Sequence, residues 1–143
     1  MLYLLRHGEA DANDTLTERG IAGVERIAEW AARAGIVVSE IRHSGKHRAE
    51  QTAAIVGARL QPPHGVQRIA GIQPNDDPIA FAQSLHDDES VLVVSHLPFL
   101  AHLTATLVGS DQPIVDFHPA TLVALARVVG GWVIDAVVHP RIA

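Results

Sequence analysis

Two short runs, Met1-Leu2-Tyr3-Leu4-Leu5 and Val91-Leu92-Val93-Val94, constrain this chain more than any other feature, because both are apolar throughout. A half-exposed strand alternates apolar and polar residues, so an uninterrupted run suits a strand covered on both faces, as in a parallel sheet. Each run ends in polar chemistry: Arg6-His7-Gly8-Glu9 follows the first and Ser95-His96 the second. In open α/β sheets, ligands gather outside the carboxyl ends of the strands. A fixed cation and two imidazoles therefore stand where ligands bind. Gly8 permits a sharp turn or a close approach of the backbone to a ligand.

The intervening sequence reads as helices and shorter strands. A polar loop from Asp11 to Thr15 precedes Leu16-Thr17-Glu18-Arg19-Gly20, which opens a helix. Thr15 with Glu18 has capping-box spacing, and Thr17 is an equally good N-cap. Ile21, Val24, Ile27, Ala28 and Ala31 fall on one helical face, and Gly35 stops the helix. Ile36 to Ile41 leads into a second strand ending near Arg42-His43-Ser44. Lys46 to Leu60 reads as a second helix with Ala49, Ala53, Ile55, Val56 and Leu60 facing inward, broken by Pro62-Pro63. Val66 to Ile69 is a third strand, Gln73 to Pro78 a loop of turn formers, and Ile79 to Leu85 a short helix. Pro98 suits the first turn of a helix running to about Val108, with Gly109 beyond it. Two strands close the chain, about Thr121 to Val128 and Trp132 to Val137, with Gly130-Gly131 as a hairpin signal.

Strands that alternate with helices imply βαβ units, so the fold class is α/β with a mostly parallel central sheet and a C-terminal antiparallel hairpin. No internal repeat, low-complexity segment or linker interrupts the chain, and residues 1–143 read as one domain. The hydrophobic fraction is 48% with only 4% aromatic, so the core is built from Ala, Val, Ile and Leu. A net charge of −5 without any basic run argues against nucleic acid as a partner. The lack of cysteine excludes disulfides, zinc–thiolate sites and thiol nucleophiles. The N-terminal run is too short for a signal-peptide core and has no basic residues before it, and no segment approaches membrane-span length. A cytoplasmic protein without a membrane partner is the expectation, with a monomer favoured. The unusual count is nine histidines against a single lysine, Lys46.

Four pieces converge on one sheet edge: Arg6-His7-Gly8, Asn13 in the following loop, Arg48-Ala49-Glu50-Gln51-Thr52 in the first turns of the second helix, and Ser95-His96. Together they suit phosphoryl transfer, which is mostly positioning and charge stabilisation. A guanidinium matches phosphate oxygens in a fork and stays charged. A neutral imidazole can attack phosphorus, and two nearby cations lower its pKa and keep it neutral. The helix start at Pro98 adds backbone donors for an anion.

These residues also carry a resemblance. Leu5-Arg6-His7-Gly8-Glu9, Leu16-Thr17-x-x-Gly20, Arg48-Ala49-Glu50-Gln51-Thr52 and Ser95-His96, in that order, resemble the histidine phosphatase superfamily, which includes phosphoglycerate mutases and acid phosphatases. Chain length, the Arg-Ala-Glu-Gln-Thr helix and Ser95-His96-Leu97-Pro98 are most similar to the small SixA-type phosphohistidine phosphatases. The resemblance implies a three-layer α/β/α, phosphoglycerate mutase-like fold. It implies His7 as the nucleophile that becomes phosphorylated, Arg6 and Arg48 as clamps on the phosphoryl group, and His96 completing the pocket. Gly8, Asn13 and Leu97 are assigned to substrate binding, with no metal and no cofactor.

The chain departs from the family at two places. Ser44-Gly45 replaces a common Ser-Pro, which predicts a looser loop before the second helix. The segment Ala70 to Asp77 has no Glu where larger members carry a general acid. Asp76 and Asp77 are the available substitutes, and both read better as loop solvation and helix capping. His43 and His47 are spaced for a metal pair, but without a third ligand they read as solvent-exposed. His102 reads as helix surface or as a layer behind the site; His64, His86, His118 and His139 read as loop or surface, and Trp30 and Trp132 as packing.

The expected function is a metal-independent phosphatase with a covalent phosphohistidine intermediate, dephosphorylating phosphohistidine on a protein. The alternatives are a phosphatase for small phosphate esters and a non-catalytic phosphoprotein-binding module. Intact His7 argues against the binding module, since binding would need only the arginines.

Overall fold

The computed structural model describes residues 1–86 and 89–143. The described elements run β1 (Leu2–Arg6), α1 (Glu18–Arg33), β2 (Glu40–His43), α2 (His47–Leu60), β3 (Val66–Arg68), α3 (Pro78–Ser84), β4 (Val91–Ser95), α4 (Phe99–Val108), β5 (Leu122–Val128) and β6 (Gly131–Val138). The six strands lie in the order β3-β2-β4-β1-β5-β6. The first four are parallel, β5 is antiparallel to β1, and β6 is antiparallel to β5. This is the mostly parallel sheet with a C-terminal hairpin that the sequence predicts.

The two apolar runs are buried on both faces, as their composition requires. Leu2 and Leu4 of β1 point to one face and join Val91, Val93, Phe81, Phe99, Leu100 and Leu103. Tyr3 and Leu5 point to the other and join Leu92, Val94, Val24, Ile27, Ala53 and Val56. Helices α1 and α2 cover this second face, while α3 and α4 cover the first, giving three layers. Burying one such leucine contributes roughly 1.5–3 kcal/mol, so β1 and β4 anchor both cores at once.

Several boundaries differ from the sequence expectation for local reasons. Of the two caps the sequence leaves open, Thr15 and Thr17, it is Thr17 that caps α1, its hydroxyl accepting the Gly20 N–H at 3.0 Å. Helix α2 starts at His47 after Lys46, whose side chain makes no capping bond. Pro98 is the N-cap of α4 rather than its first helical residue. Ile55 and Leu60 are only partly buried against the core that Ala49, Ala53 and Val56 enter fully. Among the described residues no helix is long and apolar enough to cross a membrane.

The α1 start is locked to the loop after β1. Thr17 N–H donates to the Glu9 carbonyl at 3.0 Å. A Cβ on Gly20 would stand 2.0 Å from that same oxygen, so only glycine lets the helix approach this closely. The Leu-Thr-x-x-Gly spacing is therefore a packing device that holds the loop carrying His7.

Candidate active site

Register brings the two histidines together. Arg6 of β1 pairs with Ser95 of β4, and the His7 N–H donates to the Ser95 carbonyl at 3.2 Å. His7 and His96 are the next residues on adjacent strands, and their ring centroids lie 5.1 Å apart. His7 is 9% exposed and His96 1%.

Helix periodicity brings in the second arginine. Arg48, Gln51 and Thr52 are spaced i, i+3, i+4 and share one face of α2. Gln51 Oε1 accepts the Leu16 N–H at 2.8 Å. Thr52 Oγ accepts the Gly8 N–H at 3.0 Å and donates to the Arg48 carbonyl at 2.8 Å. Both tie α2 to the loops around His7. From that platform Arg48 Nε donates to His7 Nε2 at 3.2 Å. The other ring nitrogen, Nδ1, lies 2.8 Å from the Gly8 carbonyl. Since that carbonyl can only accept, Nδ1 carries the proton and Nε2 presents its lone pair.

Arg6 ends β1, directly before His7. Its Nη1 donates to the Phe117 carbonyl at 2.8 Å, while its Nε is buried without a protein partner. The 110–119 segment, which the sequence reads only as a loop before the last two strands, thus braces one guanidinium through buried Phe117. His96 Nε2 lies 2.6 Å from Ser44 Oγ, and His96 Nδ1 is also buried and unpartnered. Arg6 Nε and His96 Nδ1 are thus both buried without a protein partner, while Arg48 already donates to the His7 nitrogen that carries the lone pair.

Burial is the largest cause of the electrostatic state. It pushes His7 down to about 4, with Arg48 and Arg6 adding to the effect against the Gly8 carbonyl and Asp14. The sequence expectation gave the cations the leading part; burial outweighs them. Burial likewise pushes His96 down to about 3, assisted by His7, Arg48 and Lys46. Burial and then neighbouring Arg48 also hold Arg6 below its ordinary value. Two cations pressed together in a partly dry site favour any anion that enters between them.

Other sequence candidates land elsewhere. Asn13 is exposed, its N–H donating to Asp11 Oδ1. The neighbouring residue reaches the site instead: Asp14 accepts from Arg48 Nη1 at 2.6 Å and from the N–H groups of His47 and Arg48 at 2.9 and 3.3 Å. It supplies the cap that Lys46 does not. A helix without its own capping side chain was the available signal for such a residue. Leu97 is half-buried and packs against the Leu2–Leu4 core face.

Asp76 accepts the Gln73 N–H at 2.8 Å, and Asp77 caps α3 through the Ile79 N–H at 2.9 Å, matching loop and capping roles. The Gln73 side chain donates to the Ser44 carbonyl at 2.7 Å. The Ser44-Gly45 loop is accordingly tied rather than loose. Gly45 has φ +90, and a Cβ there would meet Arg68 Nε at 2.4 Å. His43, expected at the surface, is buried and accepts the Gly45 N–H, because β2 carries it inward; His47 is exposed. His64, His86, His102 and His118 are exposed, and His139 is partly exposed.

Comparison with known proteins follows the same outline. The histidine phosphatase superfamily (branch 1) matches residues 2–71. Phosphohistidine phosphatase SixA of Escherichia coli (strain K12) is 30% identical over 123 residues, covering 78% of this chain and 76% of that protein. The structure of a protein histidine phosphatase SixA complexed with tungstate superposes with a TM-score of 0.87 at 26% identity, over 98% of this chain and 97% of that one. A phosphoserine phosphatase from Entamoeba histolytica shares the fold, with a TM-score of 0.72 at 16% identity over 95% of each chain. The chain belongs to the histidine phosphatase superfamily and is a phosphatase.

Proposed function

We propose that this chain is a phosphohistidine phosphatase that works through a phosphoryl group carried on His7, without a metal ion. The observation that carries the proposal is the fixed tautomer of a neutral His7, its Nδ1 on the Gly8 carbonyl and its Nε2 facing Arg48. In this scheme Nε2 attacks phosphorus and the bond to the leaving group breaks. Arg48, Arg6 Nε and His96 Nδ1 take up the charge on the phosphoryl oxygens, as preorganised donors do. Nδ1 keeps its proton, so phosphorylated His7 is a cation and a good leaving group. Water then attacks phosphorus, the bonding pair returns to Nε2, and phosphate departs. The similarity to SixA proteins supports phosphohistidine on a protein as the substrate. Positive charge comes from the guanidiniums of Arg6 and Arg48, and neutral His96 adds a hydrogen-bond donor, which makes a metal unnecessary. We also take residues 1–143 as a single domain, since the six strands share one sheet.

Leaving-group chemistry sharpens the proposal. A general acid matters most when an alkoxide departs. Asp76 and Asp77 are committed to backbone N–H groups, and the loop faces Ser44 with an amide, Gln73. An imidazole leaving group can be protonated beforehand and demands less. The test is kcat/KM for a phosphohistidine peptide, an aryl phosphate and phosphoserine, each with and without EDTA. Phosphohistidine and aryl phosphate should be favoured by at least about two orders of magnitude, the scale of general acid catalysis, and EDTA should change nothing. Equal rates on phosphoserine, or loss of activity in EDTA, would overturn the proposal.

A further inference from the structure

A groove of about 680 Å³ lies beside the catalytic loop. Helix periodicity builds one wall. Arg19, Ala22, Gly23 and Arg26 are spaced i, i+3, i+4, i+7 on α1, so two arginines flank a furrow of small residues. The segment after β6 forms the facing wall, with Pro140 beneath and Arg141 and Ile142 exposed. The groove abuts the site through shared backbone. Its Ala120 donates an N–H to the carbonyls of both Arg6 and His7 at 3.1 Å, and its Glu9 lies two residues beyond His7.

Charge and polarity point to an occupant. Three guanidiniums line the groove against one carboxylate, Glu9, whose closest approach to Arg19 is 3.9 Å. Arg26 and Arg141 are exposed. This concentration stands out in a chain of net charge −5. Ala22, Ala120, Pro140 and Ile142 provide an apolar floor between the cations. An apolar floor with an arginine rim is the make-up of a protein-binding patch.

We propose that this groove docks the substrate protein, holding acidic residues that flank its phosphohistidine while the phosphoryl group enters the His7 pocket. This rests on the phosphohistidine activity proposed above. Arg19, Arg26 and Arg141 steer and hold the acidic flank, and the floor takes an apolar side chain beside it.

The test uses two synthetic phosphohistidine peptides of equal length, one flanked by Asp and Glu and one by Asn and Gln, with an aryl phosphate as control. The wild type should favour the acidic peptide about tenfold through KM at low salt, a preference that fades at high salt. Arg26→Glu with Arg141→Glu should erase that preference and leave aryl phosphate turnover unchanged. Arg26→Gln with Arg141→Gln should lose it in part. If the wild type turns over both peptides equally well, the docking groove is wrong while the phosphatase proposal stands. A variant that slows aryl phosphate hydrolysis as much as peptide hydrolysis would also overturn it, since the effect would then run through the catalytic pocket. If the wild type cleaves the aryl phosphate but neither peptide, both proposals fall.

Discussion

Ser44 Oγ and His96 Nε2 lie 2.6 Å apart, buried between two loops that the sequence separates by 52 residues. The Lys46 N–H approaches the same hydroxyl oxygen at 3.4 Å, which leaves the hydroxyl proton for His96. Neutral His96 then carries its own proton on Nδ1, the buried nitrogen without a protein partner. Ser44 therefore sets which edge of the ring donates. Ser44→Ala leaves a buried acceptor unpaired, at about 1–3 kcal/mol, and frees the other tautomer. Turnover should fall by about one to two orders of magnitude, with KM little changed. Ser44→Thr should recover much of the loss, and nitrogen chemical shifts of His96 should report the tautomer change. Unaltered turnover and shifts in the alanine variant would rule out this role.

Arg48 is held at three points: by Asp14 through Nη1, by its own N–H on the same carboxylate, and by Thr52 on its carbonyl. Such bracing suits a preorganised donor. Arg48→Ala should lower kcat by about two to three orders of magnitude, the usual cost of removing one transition-state donor. Arg48→Lys should not restore it, because a point charge cannot form the fork. A lysine variant with the wild-type rate would show that Arg48 is not a clamp on the phosphoryl group.

The two depressed histidines set a pH signature. With His7 at about 4 and His96 at about 3, both are neutral in the ordinary working range. The acid limb of kcat/KM should therefore fall with an apparent pKa near 4 rather than near 6.5. Stability follows by linkage. Between about 4 and about 6.5 the unfolded chain binds protons that the native rings refuse, so stability rises with pH across that window and is lost as pH falls through it. Thermal unfolding of the wild type and of His7→Gln between pH values of about 4 and about 7 should show a weaker acid sensitivity in the variant. Identical slopes would mean that His7 is not held neutral by the fold.

The legible parts of this molecule were those with a local period or an apolar run. β1 and β4 announced themselves by composition, and strand register then delivered His7 and His96 to one edge. Arg48 was legible in the first turns of α2, but the face it shares with Gln51 and Thr52 was not read from the sequence. What stayed hidden were loop-to-loop contacts. Asp14 reaches Arg48 across 34 residues and Gln73 reaches Ser44 across 29. Neither contact has a period, because each depends on where a turn points a short side chain. Asp14 sits at φ +59, a left-handed turn that aims it at α2 while Asn13 faces solvent. His43 was misplaced for a related reason: its strand is only four residues long, too short for alternation to reveal the buried side.

The most direct measurement is rapid-quench labelling of His7. Wild-type protein mixed with labelled phosphohistidine peptide and quenched in base should carry a base-stable, acid-labile phosphate, mapped by peptide analysis to His7. His7→Ala should carry none and should turn over no substrate while keeping a native thermal transition. Equal labelling of His7→Ala, or a phosphate mapped to another residue, would contradict His7 as the nucleophile.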